Sequence, residues 1–258
     1  MSNQTKTPNR VNFYDDSKHD YRKFWIGREY EHESELIAID SLLKNKHYSL
    51  AMDYGGGYGR VTPKLLEYAD KVILVDPSEK QLNFARKKLN NKNVEFRKQE
   101  TKDSVPADDN SIHLLIMIRV SHHLPDPTAV FKEINRVLKP GGEAIIEIAN
   151  EAHFINRLRY LKQMKRVPSQ PVPIGSIANG KKDDTPFVNH NPRTIAKILD
   201  NIGLVEVDKL SVSNLRQQFL KDHFSMKTLL FIEKHLQKSL SAIYFGPSLF
   251  LLVKKPIQ

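Results

Sequence analysis

The sequence predicts a doubly wound α/β fold, in which helices cover both faces of a mostly parallel sheet. Continuous apolar runs occur at residues 72–75, 112–118 and 144–149, as expected for strands buried on both faces. Patterns with helical spacing separate these runs. A third observation is a glycine-rich segment directly after the first predicted strand, the position of a ligand-binding loop in sheets of this type.

Each element is justified by its apolar spacing and by the residues that punctuate it. Ser78 is a suitable N-cap for a helix that reaches residue 89, and Gly203 is the expected C-cap of a later helix. The segment Lys139-Pro140-Gly141-Gly142 ends another helix. Strands are predicted at residues 50–54, 72–75, 94–96, 112–118, 144–149, 204–212 and 247–253. Helices are predicted at residues 31–43, 61–68, 79–89, 126–138, 153–166 and 192–201, and over most of 215–244.

The alternation breaks after residue 150 and resumes near residue 191. A basic helical pattern is followed by a stretch rich in Pro, Gly and Lys, which predicts a loop or lid. We therefore expect one domain over residues 1–258 with an insertion at 151–190. Residues 1–30 are expected to form an N-terminal lid segment, residues 50–150 a cofactor-binding core, and residues 191–258 the remainder of the sheet with its helices.

Composition excludes several classes of protein. The 258 residues include no cysteine, which rules out a disulfide framework, a thiolate metal site and a cysteine nucleophile. No metal site is expected. No apolar run approaches the roughly 20 residues that a membrane-spanning helix needs, and the polar N-terminus lacks the apolar segment of a signal peptide. The sequence therefore predicts a cytoplasmic globular protein.

The net charge of +10 lies almost entirely after residue 150. Such an excess is compatible with an anionic substrate, an acidic lipid surface or RNA, and equally with a solvated surface. The basic pattern at residues 153–166 also carries interleaved apolar side chains. It is a solvated helix face, a segment that contacts a membrane surface, or a roof over the substrate.

The segment Asp53-Tyr54-Gly55-Gly56-Gly57-Tyr58-Gly59-Arg60 carries the clearest chemical signal. It does not match the dinucleotide fingerprint, because Arg60 stands where the third glycine is required, and it does not match a phosphate loop. An acid before G-x-G-x-G favours a ligand that carries positive charge. Asp76 ends the second predicted strand, where a carboxylate accepts hydrogen bonds from ribose hydroxyls. An adenosyl ligand with a cationic amino-acid end fits both acids.

Further motifs lie within residues 104–142, namely Val105-Pro106, Asp109-Asn110-Ser111-Ile112-His113, His122-His123-Leu124-Pro125-Asp126-Pro127, and Glu133-Ile134-Asn135-Arg136-Val137-Leu138-Lys139-Pro140-Gly141-Gly142. With the glycine segment, they resemble the class I S-adenosylmethionine-dependent methyltransferases, in particular the branch that includes quinone-biosynthesis enzymes. The resemblance covers most of the chain outside residues 1–25 and 151–190. It implies a seven-stranded, Rossmann-like, mostly parallel sheet with an antiparallel last strand.

The resemblance also implies site residues and S-adenosyl-L-methionine as the cofactor. The methionine part would lie on the glycine segment, the ribose on Asp76, and the adenine beside Pro77. Glu100 and Thr101 would meet the adenine edge, Arg119 would line the sulfonium end, and Arg28 or Tyr30 would reach the cofactor from the N-terminal segment. The implied residues of the glycine segment are Asp53, Tyr54, Gly55, Gly56, Gly57 and Gly59.

His122 and His123 follow the fourth predicted strand and are the candidates for a catalytic base, since the pKa of histidine lies near working pH. The alternative is that one caps a turn and the other packs. His190 is a weaker substrate-binding candidate. The favoured hypothesis is methyl transfer to an anionic or hydrophobic small molecule. RNA methylation through the basic C-terminal part and a non-catalytic cofactor-binding protein remain the alternatives.

Overall fold

The computed structural model describes residue 15 and residues 20–90, 92–101, 103–174 and 187–257. Seven strands form one sheet in the order β3-β2-β1-β4-β5-β9-β8. Every neighbouring pair is parallel except the two that involve β9, which runs antiparallel to both β5 and β8. These strands are β1 (Tyr48–Tyr54), β2 (Ala69–Asp76), β3 (Val94–Lys98), β4 (Ile112–Met117), β5 (Leu138–Ala149), β8 (Val205–Val212) and β9 (Ser248–Lys254). The predicted fold class, with its antiparallel last strand, is confirmed.

Helices cover both faces of this sheet. They are α1 (Glu29–Leu42), α2 (Thr62–Leu65), α3 (Glu79–Leu89), α4 (Thr128–Val137), α5 (Phe154–Lys162), α6 (Pro192–Asn201), α7 (Gln218–His223) and α8 (Met226–Ser241). The predicted N-cap of α3 is present, because the Ser78 hydroxyl accepts a hydrogen bond from the N–H of Gln81. Gly203 follows α6 with a left-handed φ of 84°, as expected after a helix end. Among the described residues, no helix combines the length and apolar character needed to cross a bilayer.

The apolar core lies on the two faces of the sheet. Successive strand residues point to opposite faces, so Ala51 and Met52 of β1 belong to different apolar clusters. One cluster packs α4 and α6 against the sheet through Phe131, Ile134 and Ile195 among others. The other packs α1 through Ile39 and Leu43. Both faces are therefore sealed, and the carboxyl ends of the parallel strands are left as the place for a ligand.

Three elements differ from the sequence predictions. The helix predicted over residues 61–68 is the single turn α2, because the chain enters β2 at Ala69. Strand β5 begins at Leu138, so the predicted helix-ending segment is extended and Gly142 sits where a Cβ would lie 2.8 Å from the carbonyl oxygen of Lys139. Helix α5 ends at Lys162 rather than near residue 166, since Met164 adopts a left-handed φ of 54°.

The segment that was expected to be a loop or lid contains two short strands. Strands β6 (Val172–Ile174) and β7 (Phe187–Asn189) pair antiparallel as a separate two-stranded sheet. Residues 175–186 between them lie outside the described residues, as do residues 1–14 and 16–19 of the predicted N-terminal lid segment.

Candidate functional site

The glycine-rich loop between β1 and α2 is held against β2 by its backbone. The N–H groups of Gly55 and Gly56 both donate to the carbonyl oxygen of Val75, at 2.8 and 3.1 Å. Gly55, Gly57 and Gly59 have left-handed φ values of 74°, 56° and 74°, which glycine adopts without steric cost. The loop therefore requires glycine at these three positions, as the spacing of the motif predicts.

Asp53 lies beneath this loop at the end of β1. Its carboxylate is buried and accepts a hydrogen bond from the hydroxyl of Thr62 at 2.7 Å. A Cβ on Gly56 would lie 2.7 Å from Cγ of Asp53, so the carboxylate fits only because residue 56 has no side chain. Burial raises the pKa of Asp53 to about 6, although the hydrogen bond from Thr62 opposes the rise. A direct contact between Asp53 and a ligand stays a prediction.

Asp76 ends β2 next to the loop. Its two carboxylate oxygens accept hydrogen bonds from the N–H groups of Gly57 and Ser78, each at 2.9 Å. Burial raises the pKa of Asp76 to about 7 in spite of these two donors. Each oxygen has a further lone pair, so the ionised carboxylate can accept two more hydrogen bonds.

The residues expected at the adenine edge follow β2 and β3. Pro77 directly follows Asp76 and is half-buried, while Glu100 and Thr101 are exposed beyond the end of β3. The neighbouring strand ends are tied together, because the N–H of Gln99 donates to the carbonyl oxygen of Asp76 at 3.1 Å. Lys98 pairs with Asp76 in the sheet, so Glu100 and Thr101 lie two and three residues beyond the Asp76 position on the neighbouring strand.

Two tyrosines of the predicted cofactor set are core residues. Tyr30 is fully buried, and its hydroxyl donates to Glu233 at 2.7 Å and accepts from the N–H of Leu215 at 3.0 Å. The ring of Tyr54 is also buried, with its hydroxyl 2.7 Å from the amide nitrogen of Gln99. Their side chains join elements of the fold together, and a contact of either residue with a cofactor stays a prediction.

A buried carboxylate that sequence reasoning missed joins three parts of the site. Glu35 on α1 pairs with Arg60 of the glycine loop at 2.5 Å and with Arg119 after β4 at 2.7 Å. Burial alone would raise the pKa of Glu35, but the two guanidinium groups outweigh it and hold the pKa below its usual value. One signal was available: Glu35 lies one helical turn before Ile39, on the face that α1 buries.

Arg119 has a left-handed φ of 61°, which is costly for a residue with a Cβ and recurs at functional sites. Its backbone N–H donates to the buried carboxylate of Glu147 at 3.2 Å. The guanidinium, predicted to line the sulfonium end of a cofactor, is engaged by Glu35. Arg119 therefore lies just beyond the carboxyl end of β4, as predicted, with both its backbone and its side chain fixed.

The N-terminal segment packs on the glycine loop through aromatic rings. Tyr21 lies 6.2 Å from Tyr58, centroid to centroid, and Arg60 lies 3.7 Å from the ring of Trp25. Arg28 lies over the ring of Phe24 at 3.7 Å.

His122 and His123 form a short 3₁₀ turn with Ser121, four residues beyond the end of β4. Their ring centroids are 4.1 Å apart, and each ring packs edge-on against Phe187 of β7 at about 5 Å. His190 is different, because it is buried and its Nε2 lies 3.0 Å from the carbonyl oxygen of Ser121. His190 thus fixes the turn that carries the other two histidines.

The residues around Gly57 and Asp76 fit an adenosyl cofactor. A Cβ built on Gly57 would meet nothing closer than the Asp76 carboxylate at 3.9 Å, so the missing side chain leaves a cradle beside an acceptor. The glycine loop is the natural place for the amino-acid end, and Asp76 for the ribose hydroxyls.

Comparison with known proteins agrees with this geometry. Residues 52–146 match the family model of a methyltransferase domain. The chain is 26% identical over 178 residues to a ubiquinone/menaquinone biosynthesis C-methyltransferase of a Shewanella species, covering 63% of this chain and 69% of that protein. It is 33% identical over 91 residues to an uncharacterized methyltransferase of Mycobacterium tuberculosis, covering 35% of this chain and 36% of that one.

Solved structures share the fold. A methyltransferase of Thermotoga maritima described as a possible histamine N-methyltransferase superposes with a TM-score of 0.63 at 20% identity, covering 96% of this chain and all of that one. A methyltransferase from Haloferax volcanii, solved with the Trm112 activator, gives a TM-score of 0.60 at 16% identity, covering 92% and 93%. The methyltransferase-domain match over residues 52–146, the strand order and the acids at the strand ends together support a class I S-adenosylmethionine-dependent methyltransferase, with S-adenosyl-L-methionine as its cofactor.

Proposed function

We propose that this methyltransferase acts on a small-molecule acceptor, by in-line displacement at the methyl group. The observation that carries the proposal is a pair of buried carboxylates, Asp53 and Asp76, at the ends of two neighbouring strands. Both lie beside the glycine loop, where side chains at Gly56 and Gly57 would point toward them. When bound, S-adenosylmethionine supplies an electrophilic methyl group on a sulfonium sulfur. The chain supplies position, which can contribute on the order of 7–11 kcal/mol to lowering the barrier.

The cofactor-binding set of the proposal is centred on Asp76. Its ionised carboxylate accepts the ribose hydroxyls while the N–H groups of Gly57 and Ser78 fix its orientation. Pro77, Glu100 and Thr101 border the adenine, and Gly55, Gly56, Gly57 and Gly59 carry the methionine part, with Asp53 beneath them. Arg28 and Arg119 border the methyl-transfer end.

His122 and His123 are proposed as the groups that take a proton from the acceptor. They extend from the end of β4 and pack against β7 of the proposed insertion, so a molecule bound over β4 would meet them. A general base of this kind contributes roughly 10²- to 10⁴-fold to a rate, provided that the acceptor must lose a proton. An acceptor that is already ionised needs no base.

The packing of the N-terminal segment favours a small acceptor over RNA. Tyr21 and Trp25 lie against Tyr58 and Arg60 of the glycine loop, so the chain itself covers that side of the site. We infer that the described parts of these two segments, residues 20–30, 151–174 and 187–190, enclose the acceptor as part of a single domain. The similarity to a quinone-biosynthesis C-methyltransferase supports a small acceptor, and the basic residues after 150 keep RNA as the alternative.

Two measurements test the proposal. Calorimetric titration should give micromolar binding of S-adenosylmethionine and S-adenosylhomocysteine and none of NAD. Transfer of labelled methyl from S-adenosylmethionine should then occur into a small-molecule extract and not into RNA of the same cells. Labelling of RNA alone would select the alternative function, and cofactor binding without transfer to either pool would indicate a non-catalytic protein.

A further inference from the structure

Among the residues that the structure describes, three arginines near the proposed methyl-transfer end form no ion pair with a carboxylate. Within the described part of the chain, Arg60 and Arg119 share Glu35, but no carboxylate lies within ion-pair distance of Arg28, Arg157 or Arg216. The Nε of Arg157 is moreover buried without a hydrogen-bond partner in that same part of the chain. A buried guanidinium N–H without an acceptor is costly and calls for one.

These arginines come from three segments that interact electrostatically: Arg28 and Arg216 repel each other, and Arg157 and Arg216 both act on His153. Arg28 directly precedes α1, and Arg216 follows Leu215, whose N–H donates to the hydroxyl of Tyr30 at 3.0 Å. Arg157 lies in the first turn of α5 and its N–H donates to the carbonyl oxygen of His153 at 3.0 Å.

His153 is the N-cap residue of α5. Burial, together with the positive charges of Arg216, Arg159 and Arg157, lowers the pKa of His153 to about 4. Its ring therefore lies within the field of arginines from both α5 and the segment after β8.

The nearby acids do not balance this charge. Glu31 is bound by Lys221 at 2.8 Å, and Glu147 accepts hydrogen bonds from Ser248 and from the backbone of Arg119. Burial, together with repulsion from Arg119, lowers the pKa of the half-buried Arg28, and Arg119 also repels the exposed Arg216. The cluster has a surplus of positive charge, which an anion would relieve.

We propose that the methyl acceptor carries a carboxylate or phosphate group and that Arg28, Arg157 and Arg216 bind it. A planar guanidinium matches both anions with two parallel hydrogen bonds, so several of them select for an anionic group. The inference rests on the proposed function, since it names the class of the acceptor. The carboxylate of the cofactor itself has the same chemistry, and the test must separate the two sources.

The experiment titrates inorganic phosphate and acetate into the full chain saturated with S-adenosylhomocysteine, using wild type, Arg157→Gln and Arg216→Gln. We expect at least one of the two anions to bind, and both variants to weaken it roughly tenfold or more while leaving S-adenosylhomocysteine affinity unchanged. Arg86→Gln is the control, because Arg86 is on α3 beside β3, at the opposite edge of the sheet. Circular dichroism verifies that each variant is folded.

Three results would overturn the inference. The saturated wild type binds neither anion, or both variants bind the anion as wild type does. In the third case the variants weaken the binding of S-adenosylhomocysteine but not that of 5′-methylthioadenosine, which lacks the carboxylate. The arginines then bind the carboxylate of the cofactor and not the acceptor. Failure of the proposed function is a separate outcome, since wild type would then not bind S-adenosylhomocysteine at all or would methylate no small molecule.

Discussion

Replacing Gly57 by alanine separates the backbone requirement of the glycine loop from its role in binding. Gly57 has a φ of 56°, where an alanine costs about 1–2 kcal/mol of unfolding free energy. Space is not the obstacle in the free protein, because the nearest atom to the new Cβ would be an Asp76 oxygen at 3.9 Å. The same Cβ would occupy the cradle where we propose that the cofactor binds. We expect Gly57→Ala to fold and to lose roughly tenfold or more in cofactor affinity.

Gly203→Ala is the matched control. Gly203 has a φ of 84° and nothing within 4 Å of a built Cβ, and it follows α6, which is not part of the glycine loop. Both variants should therefore lose about 1–2 kcal/mol in urea unfolding. Only Gly57→Ala should weaken the binding of S-adenosylhomocysteine in calorimetric titration.

Equal affinity of Gly57→Ala and wild type would refute the placement of the cofactor beside Gly57. Equal weakening by both variants would refute it as well, because the loss would then follow from reduced stability. The comparison thus depends on binding and unfolding measured on the same preparations.

The remaining predictions concern the acids and the histidines. In the proposed site the ribose hydroxyls donate to the ionised form of Asp76, and burial raises the pKa of that carboxyl to about 7. The affinity for S-adenosylhomocysteine should therefore rise between pH 6 and pH 8, whereas Asp76→Asn should bind weakly with no such rise. A flat wild-type profile would contradict the assignment. Glu35→Gln removes the carboxylate that pairs with both Arg60 and Arg119 and should lower the unfolding free energy by roughly 3–5 kcal/mol in urea. An unchanged midpoint would mean that solvent compensates for the lost pair. His122→Ala and His123→Ala should bind S-adenosylhomocysteine normally, and the one that removes the base should reduce kcat roughly 10²- to 10⁴-fold; normal turnover in both would exclude a base at this turn.

The parts of the fold that local patterns encode were predictable from the sequence. Strands β2 and β4 are continuous apolar runs because they are buried on both faces, and the Ser78 cap identifies the start of α3. The positions of Asp53 and Asp76 follow from the strands they end. Each of these signals lies within a few residues of the feature it predicts.

Contacts between distant residues were not predictable in this way. Tyr30 reaches Glu233 across 203 positions, and Glu35 reaches Arg119 across 84. No local pattern states that a tyrosine near the N-terminal segment will serve α8 rather than the cofactor. Residues 61–68 show the same limit at short range, since helical spacing continued where the chain had to enter β2.

The position of strand β9 determines when the sheet can be completed during synthesis. It lies between β5 and β8, and β8 has no other neighbour in the sheet. During synthesis β5 and β8 therefore emerge before residues 248–254, and the two cannot join the same sheet until that segment arrives. Until then β5 presents an apolar open edge, the kind of surface through which nascent chains associate. A ribosome-bound chain that stops before residue 248 should thus need chaperone protection that a chain extending past residue 254 does not.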